Sequence, residues 1–247
     1  MLDFDPDQKA VLEPRTEKLP FKFQRRLLFA FVEREDVEHF LEQVPHVIAG
    51  KFETISFSPN VYEVDYHGEK FTLCQAPLGA PAATQLLDWL ISYGVEQVLA
   101  FGNAGALIDL PENAMLISIR ALRDEGTSFH YIKPGQFVDL QSAFLDQIED
   151  ILNELGQTYA EITTWTTDGF FRETPRKVKE FRQLGAAMVE MECAGMAACA
   201  QFRKIDFAPI LFAADSLADV LHYDYRSWGA QAHRLGLGIG AQVLAKL

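Results

Sequence analysis

The chain has 247 residues and a formal net charge of −13, with 22 Lys and Arg against 35 Asp and Glu. A nucleic-acid backbone would be repelled over most of such a surface, which argues against polymer binding. Apolar residues (49%) and charged residues (23%) stand in the balance of a globular protein rather than a disordered one, and the length suits a single α/β domain over residues 1–247.

Residues 1–25 read as a polar N-terminal extension, and beyond them short β-rich runs alternate with amphipathic runs at helical spacing. In chain order the expected strands are Leu27–Val32, Val61–Tyr66, Phe71–Gln75, Gln97–Phe101, Met115–Ile119, Glu161–Thr167, Met188–Met191 and Pro209–Ala213. The expected helices are Glu35–Gln43, Pro81–Tyr93, Ser142–Leu155, Thr174–Leu184, Glu192–Arg203 and Arg226–Lys246. Several strands are apolar throughout, as in the runs LLFAFV and PILFAA. That is how strands covered on both faces read, and it implies a central, substantially parallel sheet. The pair joined at His67-Gly68 reads instead as a hairpin, so the sheet is expected to be mixed.

Cys74, Cys193 and Cys199 are odd in number and form no Cys-x-x-Cys pair, which fits free thiols in a reducing compartment. Met1 to Lys9 lacks a basic region followed by an apolar run, and no stretch is apolar enough for a bilayer. A cytoplasmic location with no membrane partner is expected. The six histidines show no metal-ligand spacing, so no metal and no cofactor are expected.

Ligands of α/β sheets collect at the C-terminal ends of strands, so five segments located just after strands deserve scrutiny. Gly102-Asn103-Ala104-Gly105 can turn sharply and present N–H groups to a ligand, or can be a plain tight turn. In Met188–Gly195, Glu190 and Glu192 project to one side of an extended segment at a helix start, where carboxylates also serve the helix dipole. A carboxylate there can accept hydrogen bonds from two adjacent sugar hydroxyls. Asp215, ending an apolar strand, either holds a proton for a leaving group or serves as an N-cap for the next segment. Arg120–Tyr131 crowds aromatics among charges, and Phe170-Phe171 can stack on a flat base or belong to the core.

Together and in this order, these segments resemble the nucleoside phosphorylase family, which includes purine nucleoside phosphorylases, uridine phosphorylases and methylthioadenosine nucleosidases. The likeness runs from about Leu27 to the C-terminal helix. It is most specific at Val189-Glu190-Met191-Glu192 followed by Ala194-Gly195, with support from FGNAGAL, RDEGTSFHY and Asp168-Gly169-Phe170-Phe171. The resemblance implies a three-layer αβα sandwich around a mixed, largely parallel sheet. It also implies that Glu192 binds the ribose 2′- and 3′-hydroxyls, with Met191 packed on the sugar and Glu190 in support. Phe170, with Asp168 and Arg172 beside it, would meet the base, and Asp215 would protonate or hydrogen-bond a departing purine. The RDEGTSFHY loop looks like the uridine phosphorylase version and pulls toward a pyrimidine.

Two departures concern the nucleophile. The first strand runs into Phe31-Val32-Glu33-Arg34-Glu35-Asp36 rather than a Gly-Asp-Pro loop, and Ala100 stands where a phosphate-binding Arg is usual in the family. The Glu33–Asp36 segment looks like the acidic stretch of the nucleosidases, where a carboxylate activates water. Gly102, Asn103, Ala104, Gly105, Arg123 and Arg34 are the candidates for a phosphate or water site. The resulting expectation is phosphorolysis of a purine or related nucleoside, with inorganic phosphate as co-substrate, in a homo-oligomer (dimer, trimer or hexamer). Alternatives are a hydrolytic nucleosidase, a uridine phosphorylase or a non-catalytic nucleoside-binding protein.

Overall fold

Strand β1 (Arg26–Phe31) turns Leu28 and Ala30 toward one buried cluster and Leu27 and Phe29 toward another. Both faces of the strand are therefore covered, which is why its sequence is apolar without alternation. The computed structural model describes residues 4–247, so residues 1–3 of the expected extension lie outside the described residues. After β1 come α1 (Arg34–Leu41), β2 (His46–Lys51), β3 (Asn60–Tyr66), β4 (Glu69–Gln75), α2 (Ala80–Ser92), β5 (Gln97–Ala106) and β6 (Met115–Asp124). Then come β7 (Phe137–Asp139), α3 (Ala143–Glu154), β8 (Tyr159–Thr167), α4 (Pro175–Gln183), β9 (Ala186–Glu190), α5 (Cys193–Arg203), β10 (Asp206–Ser216) and α6 (Ala230–Lys246).

The strands form one mixed sheet in the order β10-β6-β8-β9-β5-β1-β4-β3-β2, with β7 on β6 and a further pairing of β10 with β5. That extra pairing closes β5, β10, β6, β8 and β9 into a ring, and β1, β4, β3 and β2 extend from it as an open wing. Alanines and a few larger residues from all five ring strands, including Ala104, Ala106, Ala187 and Ala213, make one small buried cluster. One face of the sheet carries α1, α3 and α6, and the other carries α2 and α5. The expected mixed sheet between helical layers is thus formed. Among the described residues no helix is long and apolar enough to cross a membrane.

Each expected strand and helix is present, with shifted ends, and β2 and β7 are additional. Three differences bear on function. Gly102–Gly105, expected as a loop, lies within β5, because Gly105 and Ala106 pair with Val189 and Met188 of β9. The glycines serve close approach rather than a turn: a Cβ on Gly102 would stand 2.7 Å from Phe31 Cβ, and one on Gly105 2.9 Å from Leu217 Cδ1. Likewise Arg120–Asp124 belongs to β6, whose pairing with β8 runs on to Asp124 and Thr167. Helix α6 begins at Ala230, and the residues from Leu217 to Gly229 form a loop pinned by Ser216–Asp224 backbone bonds and by Glu112 accepting from Ser227 N at 2.9 Å.

The N-terminal extension has no helix or strand among its described residues, yet it is not loose. Phe23 N donates to Tyr93 O at 2.9 Å, and the Phe21 and Phe23 rings pack on Trp89 and Tyr93 of the α2 end. Phe23→Ala is expected to cost about 3 kcal/mol, the usual cost of emptying a buried aromatic site. The urea midpoint reads this directly, and Val11→Ala, at a fully exposed position, leaves that midpoint unchanged.

Candidate active site

β9 delivers its last residue, Glu190, to the start of α5, and the Glu190 carboxylate is turned back into the chain. Its Oε2 accepts from the backbone N of Glu192 (2.7 Å) and Cys193 (2.6 Å), and its Oε1 accepts from Thr166 Oγ1 (2.5 Å). Thr166 in turn accepts from Ala194 N at 3.0 Å. Two otherwise unpaired N–H groups of the first helical turn are thereby satisfied, at the positive end of the helix dipole. Glu190 thus braces the start of α5, and it also borders both cavities that Glu192 lines.

Glu192, two residues on, is likewise buried and borders two adjoining cavities. Its Oε1 accepts from Gly79 N at 2.5 Å and its Oε2 from Met191 N at 3.3 Å. Gly79 caps α2 with φ +92°, a backbone region that favours glycine and that aims its N–H at the carboxylate. Burial, then the neighbouring Glu190 charge, raises the proton affinity of Glu192. Burial also raises Glu190, against the pull of its three donors. Two hydroxyl donors arriving at Glu192 would favour its charged form.

Asp215 ends the run of β10, buried, with Oδ2 accepting from Tyr223 O–H at 2.9 Å and Oδ1 over Gly105, 3.3 Å from where a Cβ would stand. Burial raises its proton affinity, opposed by the Tyr223 bond. Glu192 and Asp215 line the same cavity, of about 450 Å³, along with Met191, Ala104, Gly105, Phe170 and Trp228. A second cavity of about 440 Å³ adjoins it across Asn103 and Glu192 and is lined also by Gly102, Glu33, Gln75 and His233. Outside that lining, the Asp36 carboxylate accepts from His233 Nδ1 (3.0 Å) and from Arg234 Nε (3.1 Å). That leaves His233 Nε2 as the acceptor for the Asn103 amide at 2.9 Å.

Several expected site residues lie elsewhere. Asp168 accepts from Gly126 N at 2.8 Å, tying two loops together, and neither it nor the exposed Arg172 borders either cavity that Glu192 lines. Arg123 is buried, donating to Ser128 Oγ and Lys133 O at 2.8 Å each and lying over the Phe129 ring. Arg34 pairs with Glu38 at 2.7 Å on the exposed face of α1 and borders a separate hollow beside Lys51. The expected convergence of arginines on the nucleophile site is absent among the described residues, because each guanidinium has a local partner or faces solvent. Sequence reasoning also missed Gly79, Glu173, Tyr223, Trp228 and His233. Only Gly79 carried a signal, as a glycine directly before a helix with proline in its first turn.

The chain is 27% identical over 150 residues to a guanosine phosphorylase of Halorubrum lacusprofundi, a stretch covering 57% of this chain and 59% of that protein. It thus spans about three-fifths of the length of the curated relatives it matches. Among solved structures, its fold is similar to a uridine phosphorylase from Vibrio fischeri (TM-score 0.77, 20% identity, 96% of this chain and 95% of that one). It is likewise similar to a 5′-methylthioadenosine/S-adenosyl homocysteine nucleosidase of Campylobacter jejuni (TM-score 0.73, 18% identity, 91% and 100%). The sequence model of the Phosphorylase superfamily matches residues 25–235, and the chain belongs to that family.

Proposed function

We propose that the protein cleaves the N-glycosidic bond of a purine nucleoside, transferring the ribosyl group to phosphate and releasing free base and ribose 1-phosphate. The observation that carries this reading is the shared cavity, in which the carboxylates of Glu192 and Asp215 face one space walled by Phe170 and Trp228. As the C1′–N9 bond breaks, its electron pair goes to the base, and a proton from Asp215 to the ring spares the purine a full negative charge. Glu192 holds the 2′- and 3′-hydroxyls and fixes the sugar while positive charge grows at C1′. Phosphate attacks from the side of Gly102 and Asn103. We also place the protein in the cytoplasm, as a homo-oligomer of two, three or six chains, in line with the family resemblance.

A second reading, hydrolysis, has its own support: among the described residues, no Lys or Arg lines either cavity that Glu192 borders. Water then attacks C1′ and gives its proton to Glu33, the carboxylate of the acidic segment that reaches the cavity; Asp36 is occupied by His233 and Arg234. Turnover of adenosine, inosine, uridine and methylthioadenosine, each with and without phosphate, separates the readings. Purine turnover that requires phosphate is the expected result, and unchanged rates on removing phosphate establish hydrolysis instead. Binding of all four without turnover would sink both.

Asp215→Asn is expected to lower kcat by 10²- to 10⁴-fold, the range of a general-acid contribution. Glu192→Ala should raise KM as well as lower kcat, as measured by steady-state kinetics on the preferred nucleoside. Stability offers an independent check at Glu173, whose carboxyl burial pushes up to about 7, with Asp215 adding to the rise. An unfolded Glu titrates near about 4.3, so the folded chain keeps a proton that the unfolded chain releases. That stabilisation is complete below the unfolded value and is lost as pH rises through about 7. The melting temperature of Glu173→Gln should therefore rise relative to the parent between pH 5 and pH 8.

A further inference from the structure

Glu173 comes directly after the short turn Phe170–Arg172, and the proposed reaction leaves it without a task. Its side chain borders the cavity of Glu192 and Asp215 and also a hollow of about 430 Å³ beyond them, lined by Val178, Leu217 and Tyr223. Phe170, Phe171, Glu173, Asp215 and Trp228 border both spaces, so the two are continuous around the pair of carboxyl groups. The pair is asymmetric. Asp215 is anchored through Oδ2 by Tyr223, with Oδ1 over the Gly105 floor, whereas no hydrogen bond from a described residue reaches the Glu173 carboxylate. A largely desolvated carboxyl without a partner is costly, and burial raises its proton affinity.

Two adjacent carboxyl groups of unequal environment can present one donor and one acceptor. The purine edge next to the imidazole ring offers an acceptor at N7 in every case, beside a donor when position 6 bears an amine and a second acceptor when it bears an oxygen. We propose that Glu173 selects 6-aminopurine nucleosides over 6-oxopurine nucleosides by accepting a hydrogen bond from the exocyclic amine while Asp215 donates to N7. This rests on the nucleoside-cleaving reading above but holds for either nucleophile. With Glu173 ionised, above about pH 7, a 6-oxo group places an acceptor against an acceptor, and leaving such groups unpaired discriminates by about tenfold to a hundredfold or more.

The test compares kcat/KM at about pH 8, above the range in which Glu173 holds its proton, for adenosine and inosine in the parent protein and in Glu173→Gln, whose amide can donate to an O6 atom. The parent is expected to favour adenosine by at least about tenfold, and Glu173→Gln to move the ratio toward inosine by a similar factor. Asp215→Asn, which removes the proton donor for both bases, should depress both and leave the ratio near that of the parent. A parent that handles inosine as well as adenosine, or a ratio unmoved in Glu173→Gln, overturns the role of Glu173 and leaves nucleoside cleavage standing. Failure of the parent to cleave either nucleoside overturns the role of Glu173, and failure with uridine and methylthioadenosine as well overturns nucleoside cleavage with it.

Discussion

The carboxylate of Glu190, buried where β9 meets α5, is the contact on which the geometry of the site turns. It accepts from Thr166 on the neighbouring strand β8 and from the first N–H groups of α5, so it joins sheet to helix at one point. Because it bonds the backbone N of Glu192 itself, the direction in which Glu192 leaves the chain is fixed before any ligand arrives. Gly79 then meets Glu192 from α2, and the Glu192 end of the cavity is assembled from three elements that are distant in sequence. Preorganisation of this kind lets a polar site act without reorganising when charge develops.

Electrostatically, the cavities around Glu192 are acidic inside an acidic chain. Glu33, Glu173, Glu192 and Asp215 border them, and the arginines singled out by sequence lie elsewhere. Carboxyl groups in such surroundings answer to hydroxyl and N–H donors, which a nucleoside carries on its sugar and on its base. An anionic co-substrate is the one component that this arrangement does not itself attract, which is why the identity of the nucleophile, rather than that of the bond cleaved, divides the two functional readings.

Much of the fold was legible because the covered strands declare themselves as unbroken apolar runs and the hairpin as two runs about a turn. Strand β2 was not, since its Val47 and Ile48 are exposed and His46 and Lys51 dilute the pattern. The glycines of β5 misled for a physical reason: glycine marks close approach as well as turning, and Phe31 and Leu217 supply the approach here. Glu192 and Asp215 were legible as acids at strand ends. The rest of the site was not, because Tyr223 and Trp228 come from a loop whose path depends on distant anchors such as Glu112, and the partners of Arg34 and Arg123 could not be foreseen from composition alone.

Helix α6 lies against the sheet with Gly236 and Gly240 one turn apart. A Cβ on the first would stand 2.4 Å from the Phe101 ring and one on the second 2.5 Å from Leu28 Cδ1. The helix backbone thus rests almost directly on β1 and β5, and the first turn of that same helix carries His233 to the wall of the cavity. Spacing between two layers of the sandwich and the shape of the cavity beside Asn103 are therefore one mechanical quantity: whatever lifts α6 from the sheet also withdraws His233 and, through it, loosens the Asn103 amide.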